Sequence, residues 1–120
     1  MMEKRKLLYW EGSSKKDFKE FPIPVQKDLG VALFVVQLGR TPESAKPWKG
    51  LGSAVYELVE DLRGDTFRAV YTVRVGDAVH VLHAFQKKSK SGIATPQPEV
   101  DLIEKRLKAV LARYGPGGRS

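Results

Sequence analysis

The stretch from Val55 to Lys90 carries the clearest hydrophobic pattern in the chain. β-Branched and aromatic residues alternate there with polar ones, which predicts β-strands. Two glycine-containing turns, Arg63-Gly64-Asp65 and Gly76-Asp77, divide the stretch into three strands. Since strands joined by short turns pair with their neighbours, the pattern predicts an antiparallel meander.

The turn at Gly76-Asp77 predicts the register of the second and third strands. If these are the two central turn residues, the residue numbers of every facing pair add to the same total. Arg68 then faces Phe85, and Tyr71 faces Leu82. Because side chains alternate along a strand, the two pairs lie on opposite faces of the sheet.

A four-residue turn from Leu62 to Asp65 extends this register to the first strand of the meander. It places Tyr56 and Leu58 on the same face as Tyr71. That face is apolar, so we expect it to belong to the core. The opposite face is expected to be open and to carry Glu57, Arg68, His83 and Lys87.

The first part of the chain predicts a strand and two helices. The strand runs from Lys4 to Trp10. Ser14, with Asp17 three residues on, is typical of a helix cap and predicts a short helix from Lys15 to Phe21. Apolar residues at helical spacing predict a second helix between Pro24 and Gly39. The β-branched cluster there also fits a strand, but the segment is too long for an ordinary one.

The segment from Arg40 to Ala54 is rich in proline and glycine and predicts a loop. Unstructured loops of this length are often functional. Lys46, Trp48 and Lys49 lie in it, and two interpretations stay open. Trp48 closes the edge of the core beside solvated lysines, or the ring and the two cations bind RNA by stacking and phosphate neutralisation.

The last element is a helix that begins after Thr95 as cap, with Pro96 in the first helical position. One apolar stripe predicts that this helix covers a sheet or docks on a partner. The stripe consists of Val100, Ile103, Leu107, Val110, Leu111 and Tyr114. The glycine-rich residues 115–120 predict a disordered tail, which leaves a single domain over residues 4–114.

Composition fits this architecture. A length of 120 residues indicates one domain, and 42% hydrophobic with 29% charged residues is typical of a soluble globular protein. The longest apolar run, Val31 to Val36, is far too short to span a membrane. The chain has no cysteine, which excludes disulfides and thiolate metal sites and fits a cytoplasmic location. With only two histidines, we expect no zinc site.

The charge indicates an anionic partner. The net charge is +7, and the stretch from Ala78 to Pro98 contains no acidic residue. A basic stretch that cannot neutralise itself needs water, a nucleic acid or an acidic protein. Lys87, Lys88 and Lys90 are the cations of this stretch.

The order of strand, two helices, three strands and helix resembles the RelE/ParE superfamily of bacterial toxins. It is most similar to the phage-derived HigB-like branch of type II toxin-antitoxin systems. The resemblance covers roughly Leu7 to Tyr114. It is carried by Lys49-Gly50-Leu51, the VYEL of residues 55–58, the TFRAVY of residues 66–71, the VLHAFQKKS of residues 81–89, Thr95-Pro96 and Arg106-Leu107.

The resemblance implies a fold and a function. The fold is α+β, a RelE-like two-layer β-α-α-β-β-β-α arrangement in which helices pack on a small, curved, mainly antiparallel sheet. The function is that of a toxin that cleaves mRNA on the ribosome and inhibits translation, without metal or other cofactor. Its expected partner, besides mRNA and the ribosome, is an antitoxin of the helix-turn-helix type encoded by a neighbouring gene. That antitoxin is expected to cover the basic face.

The resemblance also implies site residues. Arg68 matches the strand arginine of the family, and Lys87-Lys88 match its basic pair. His83 and Glu57 are candidates for proton transfer, since imidazole titrates near neutrality and a carboxylate accepts a proton. The alternatives are a surface histidine without a role and an ion pair of Glu57 with an arginine. Expected RNA-binding residues are Lys46, Trp48, Lys49 and Lys90.

Two positions depart from the family pattern. Val59 stands where many relatives have a basic residue, and Ala94 stands where some have a tyrosine. An obvious general base is therefore missing. This leaves open a second hypothesis, a non-enzymatic toxin or basic binding module on the same fold, such as a gyrase poison or a protein-interaction module.

Overall fold

A computed structural model describes residues 5–52, 54–73, 75–87 and 95–114. These residues form a mixed α+β fold in which a five-stranded, mostly antiparallel sheet packs against helices, as expected. The elements are β1 (Leu7–Trp10), α1 (Ser14–Lys19), α2 (Ile23–Gln37), β2 (Ala45–Pro47), β3 (Val55–Leu62), β4 (Asp65–Thr72), β5 (Ala78–Lys87) and α3 (Gln97–Tyr114).

The strand order is β1-β5-β4-β3-β2. β1 is parallel to β5, and all other neighbours are antiparallel. β2 lies inside the segment predicted to be a loop, where it pairs with β3 at the sheet edge. The strand has only three residues, which is too short to give a detectable pattern in the sequence. It contains Pro47, and proline is compatible with a strand only at a sheet edge of this kind.

All three predicted helices are present, but two predicted caps are wrong, because α1 begins at Ser14 itself and α3 begins at Gln97, after Pro96. The residue before α1 is Ser13, and its hydroxyl donates to the Asp17 carboxylate over 2.8 Å. Ser14, the predicted cap, is the first helical residue; it is buried, and its hydroxyl donates to the Val81 carbonyl. The ambiguous segment after Pro22 is helical throughout α2.

The core has two parts because helices lie on both faces of the sheet. α1 and α2 cover the face that carries Leu58, Ala69 and Tyr71. α3 packs on the opposite face, where Val70 and Leu82 contact its buried residues. The face expected to be open is therefore covered over part of its area. Those buried residues of α3 are Ile103, Leu107 and Val110.

The predicted strand register is correct over most of the meander. The turn from Leu62 to Asp65 pairs β3 with β4 as expected, with positive φ at both central residues, Arg63 and Gly64. On β4 and β5, Arg68 faces Phe85 as predicted. Beyond Val70 the register shifts by one, so Tyr71 faces Val81 instead of Leu82. This irregularity is a β-bulge, and the prediction was wrong there because a regular ladder was assumed.

No helix in these ranges is both long and apolar enough to cross a membrane. Lys88, Lys90, Ala94 and the predicted tail 115–120 lie outside the described residues.

Candidate functional site

The sheet brings together five of the candidate residues on one face. Lys46, Glu57, Val70 and His83 form a row across β2, β3, β4 and β5. Arg68 lies on the same face in the next row, where it pairs with Val59 and Phe85. Lys87 faces Thr66 one row further on. We call the group of Lys46, Glu57, Arg68, His83 and Lys87 the polar face.

Arg68 is the central cation of the polar face. Its Nη1 donates to the Glu57 carboxylate, and the two side chains are only 16% and 15% exposed. The Nε of Arg68 is buried and has no hydrogen-bond partner among the described residues. A buried donor without an acceptor is costly, on the order of 1–3 kcal/mol. The guanidinium therefore carries one N–H for which the described residues supply no acceptor, and Glu57 forms the ion pair that was the alternative to its role in proton transfer.

His83 is buried, at 4% exposure, and both its ring nitrogens are engaged. Nε2 lies 2.7 Å from the Glu99 carboxylate, and Nδ1 lies 3.4 Å from Nη1 of Arg106. An arginine can only donate, so Nδ1 accepts and Nε2 carries the proton donated to Glu99. The ring also stacks on Phe85. His83 is thus not a surface histidine, so that alternative was wrong, and its ring nitrogens contact Glu99 and Arg106 within the protein.

Arg106 fixes this part of the site from α3. Nη1 donates to the Leu82 carbonyl over 2.9 Å, and Nη2 donates to the Ser13 hydroxyl over 3.0 Å. The guanidinium passes so close to Gly12 that a Cβ there would lie 2.6 Å from its Nε. Gly12 therefore leaves the space that the arginine occupies.

Glu99 and Arg106 are the residues that sequence reasoning missed. Glu99 is an acidic residue in the first turn of α3, a position where carboxylates are common because they stabilise the helix dipole. Its pairing with His83 joins residues 16 apart on different elements. Only the placement of α3 on this face brings them together, so no local signal could have identified the pair.

A groove of about 680 Å³ lies beside the polar face, between β2 and the start of α3. Lys46 and Lys49 are exposed along it. Trp48 is 8% exposed and packs into the core part under α3. Its ring is not available for stacking on a base, so the structure favours the interpretation of Trp48 as a core residue. Other residues of the groove are Pro47, Glu57, Thr95, Gln97 and Val100.

The opposite side of the polar face is acidic. A cavity of about 560 Å³ beyond β5 is lined by His83, Phe85 and four carboxylates. The carboxylates are those of Asp17, Glu20, Asp65 and Glu99. These carboxylates repel a polyanion from the cavity itself, whereas Lys46 and Arg68 attract one. Within the described ranges, no group of three or more His, Asp or Glu side chains could hold a metal ion.

The fold and the site define a small α+β protein with an arginine at the centre of its five-stranded sheet. The family described as "Phage derived protein Gp49-like (DUF891)" matches residues 16–108. The chain belongs to this family.

Two of the solved structures that the chain resembles are a bacterial toxin and a toxin-antitoxin complex. A double-mutant form of the Escherichia coli toxin RelE in the free state matches with a TM-score of 0.56 and 17% identity, over 89% of this chain and 99% of that one. The toxin-antitoxin complex RelBE2 of Mycobacterium tuberculosis matches with a TM-score of 0.45 and 16% identity, over 71% of this chain and 94% of that one. No curated protein matches the sequence. At these identities the first likeness establishes the fold.

Proposed function

We propose that the chain is the toxin of a type II toxin-antitoxin system, of the HigB-like branch, and that it cleaves messenger RNA on the ribosome in the cytoplasm. The observation that carries the proposal is the position of Arg68. Its guanidinium lies at the middle of the sheet, on the same face as Lys46 and Lys87, and its buried Nε has no hydrogen-bond partner among the residues that the structure describes. A half-buried cation of this kind binds phosphate more strongly than a solvated one.

The proposed reaction needs no group beyond the RNA and the protein. The 2′-oxygen of a nucleotide attacks the adjacent phosphorus while a base takes its proton. The bond from phosphorus to the 5′-oxygen breaks, and that oxygen gains a proton. The products are a 2′,3′-cyclic phosphate and a 5′-hydroxyl end.

Arg68 is the residue that would stabilise the negative charge developing on the phosphoryl oxygens. Removing one donor aimed at such a charge typically lowers the rate by about 10²–10³-fold. Lys46, Lys49 and Lys87 would neutralise neighbouring phosphates, as would Lys88 and Lys90. Glu57 is the carboxylate nearest to Arg68 and is the proposed proton acceptor.

The engagement of His83 favours a second candidate function. Because Glu99 and Arg106 occupy both ring nitrogens, this histidine supplies no free base. A toxin on this fold that poisons gyrase or blocks another protein would require no general base. An antitoxin encoded by the neighbouring gene is expected in either case.

Expression of the chain in a bacterium tests both candidates. Incorporation of labelled methionine should fall before incorporation of labelled thymidine, and Arg68→Ala should abolish the effect. Lys108→Ala is the matched control, because Lys108 is 74% exposed on α3 and contacts only Glu104 among the ion pairs of the described residues. If thymidine incorporation stops first, the non-enzymatic function replaces the proposed one.

A further inference from the structure

Several large apolar side chains on the outer face of α2 are exposed. A helix on a protein surface normally has one apolar face toward the core and one polar face toward water. α2 buries Val25, Leu29 and Val36 against the sheet. On its opposite side, Ile23 and Val31 are each 64% exposed and Phe34 is 43% exposed. We call the surface formed by Ile23, Gly30, Val31 and Phe34 the outer stripe.

Gly30 lies within the outer stripe, and no contact within the described residues explains why this position is a glycine. A glycine in a helix interior destabilises it by about 1 kcal/mol relative to alanine. Its φ is not positive, and a Cβ at this position would meet nothing within 4 Å. Neither backbone geometry nor internal packing therefore requires glycine. A small residue beside large apolar ones is what close approach of another helix requires.

Two basic side chains lie at the outer stripe, and one acidic residue, Asp28, lies at its edge one turn from Val31. Lys27 lies on the same side of α2, one turn from Ile23 and one from Val31. The guanidinium of Arg5 lies 5.7 Å from the centre of the Phe34 ring. With a net charge of +7, a second copy of the chain is repelled, whereas an acidic partner is attracted.

We propose that the outer stripe is the docking surface for an amphipathic helix of a protein partner, with an apolar face and acidic flanks. Phe34 and Val31 would be its main apolar contacts, and Gly30 would allow the close approach. The stripe lies on the far side of the sheet from Arg68, since α2 and α3 cover opposite faces. This inference rests on one part of the proposed function, the expectation that the neighbouring gene encodes a protein partner.

The absence of cysteine from the sequence allows a direct test. Val31→Cys and Lys108→Cys each introduce a single exposed thiol, one in the outer stripe and one on α3. Each variant is co-expressed and purified with the protein encoded by the neighbouring reading frame, and the rate of maleimide labelling is compared with that of the free chain. A thiol in an interface core is desolvated, so we expect Val31→Cys to react at least about tenfold more slowly in the complex and Lys108→Cys to be unchanged.

Charge substitutions test the chemistry of the partner. Val31→Glu should weaken the complex by at least about tenfold, because it places a like charge against acidic flanks, while Val31→Lys should weaken it much less. Both changes are at an exposed position, so the free variants should keep the melting temperature of the parent chain. Equal weakening by both substitutions would overturn the acidic partner.

The remaining outcomes separate the two proposals. A complex that leaves Val31→Cys as reactive as in the free chain overturns the docking surface and leaves the toxin assignment in place. Failure to form any complex contradicts both the antitoxin and the docking surface. Protection of Val31→Cys in a dimer of the chain itself would show that the occupant is a second copy, which overturns the proposal.

Discussion

Arg68 on β4 and Glu57 on β3 form an ion pair at the centre of the polar face, with both side chains largely buried. The carboxylate thus contacts the guanidinium that the proposed function assigns to phosphate. Because the Nε of Arg68 is enclosed by the protein, a phosphate has to displace Glu57 or bind beside it at the exposed part of the Arg68 side chain. One member of the pair, Arg68, is assigned to RNA binding and the other, Glu57, to proton transfer. The affinity for RNA and the rate of cleavage can therefore be measured separately.

Glu57→Gln is expected to change binding and cleavage in opposite directions. Loss of the carboxylate frees Arg68 and removes a negative charge, so the affinity for RNA should rise by about tenfold, as expected for one charge-assisted contact. Cleavage of bound RNA should fall, because an amide cannot accept the 2′-hydroxyl proton. Fluorescence anisotropy with labelled RNA and single-turnover cleavage measure the two effects.

The matched control for this substitution is Glu104→Gln. Glu104 forms an exposed ion pair with Lys108 on α3, and the same change of charge occurs there away from Arg68. Both measurements should be unchanged in this variant. If Glu57→Gln leaves cleavage of bound RNA unaffected, Glu57 is an ion-pair partner only.

Gly12 is expected to tolerate alanine less well than Gly39. Both have positive φ, +54° and +86°, so each alanine costs about 1 kcal/mol in backbone strain. At Gly39 nothing lies within 4 Å of a Cβ, whereas at Gly12 the Cβ would collide with Arg106. Displacing Arg106 also breaks its hydrogen bonds, which should cost about 1 kcal/mol or more in addition.

Urea denaturation of the two variants measures this difference in the free energy of unfolding. Gly12→Ala should be less stable than Gly39→Ala, and His83 should show an altered imidazole signal by NMR only in Gly12→Ala. Equal free energies of unfolding would mean that Arg106 moves without cost.

Gly30→Ala is expected to stabilise the free chain. Alanine has the higher helix propensity, and the added Cβ meets no atom within 4 Å, so the free energy of unfolding should rise by about 0.5–1 kcal/mol. Urea denaturation measures it. A decrease would show that Gly30 serves the fold of α2 itself and would remove one argument for the outer stripe as an interface.

Acid should destabilise the fold through Glu11. Burial opposes ionisation of this carboxyl, but hydrogen bonds from His80 and Arg113 outweigh it and hold the pKa of Glu11 below its ordinary value of 4.5. A carboxyl with a lowered folded-state pKa stabilises the fold above its unfolded pKa, and this contribution is lost as the pH falls through the folded pKa.

The measurement is the free energy of unfolding between pH 7 and pH 3 for the parent chain and for Glu11→Gln. The variant should be less stable at neutral pH, and the difference between the two proteins should shrink on acidification. A difference that does not change with pH would mean that Glu11 acts through packing alone.

The fold was largely predictable because its signals are local. Alternation along β3 to β5 and the turn at Arg63 and Gly64 define the register that places Arg68 beside Glu57. The bulge near Leu82 has no signal of its own, since an apolar residue fits either face of the sheet. β2 is too short to give a pattern.

The site was less predictable because its contacts join distant elements. The sequence indicates that His83 lies on the polar face, but the contacts that engage it come from Glu99 and Arg106 on α3. Trp48 illustrates the same limit. A tryptophan between two lysines fits either RNA stacking or packing, and only the position of α3 shows that its ring is buried.

The most direct test of the proposed function is to map transcript ends after induction of the chain in a bacterium. The parent chain should produce new ends within translated regions that carry 2′,3′-cyclic phosphates, and co-expression of the neighbouring gene should remove them. Arg68→Ala should produce about 10²–10³-fold fewer of these ends, while Lys108→Ala should match the parent. Growth arrest without new transcript ends, or ends that persist at the parent level in Arg68→Ala, would contradict the proposed role of Arg68 in RNA cleavage.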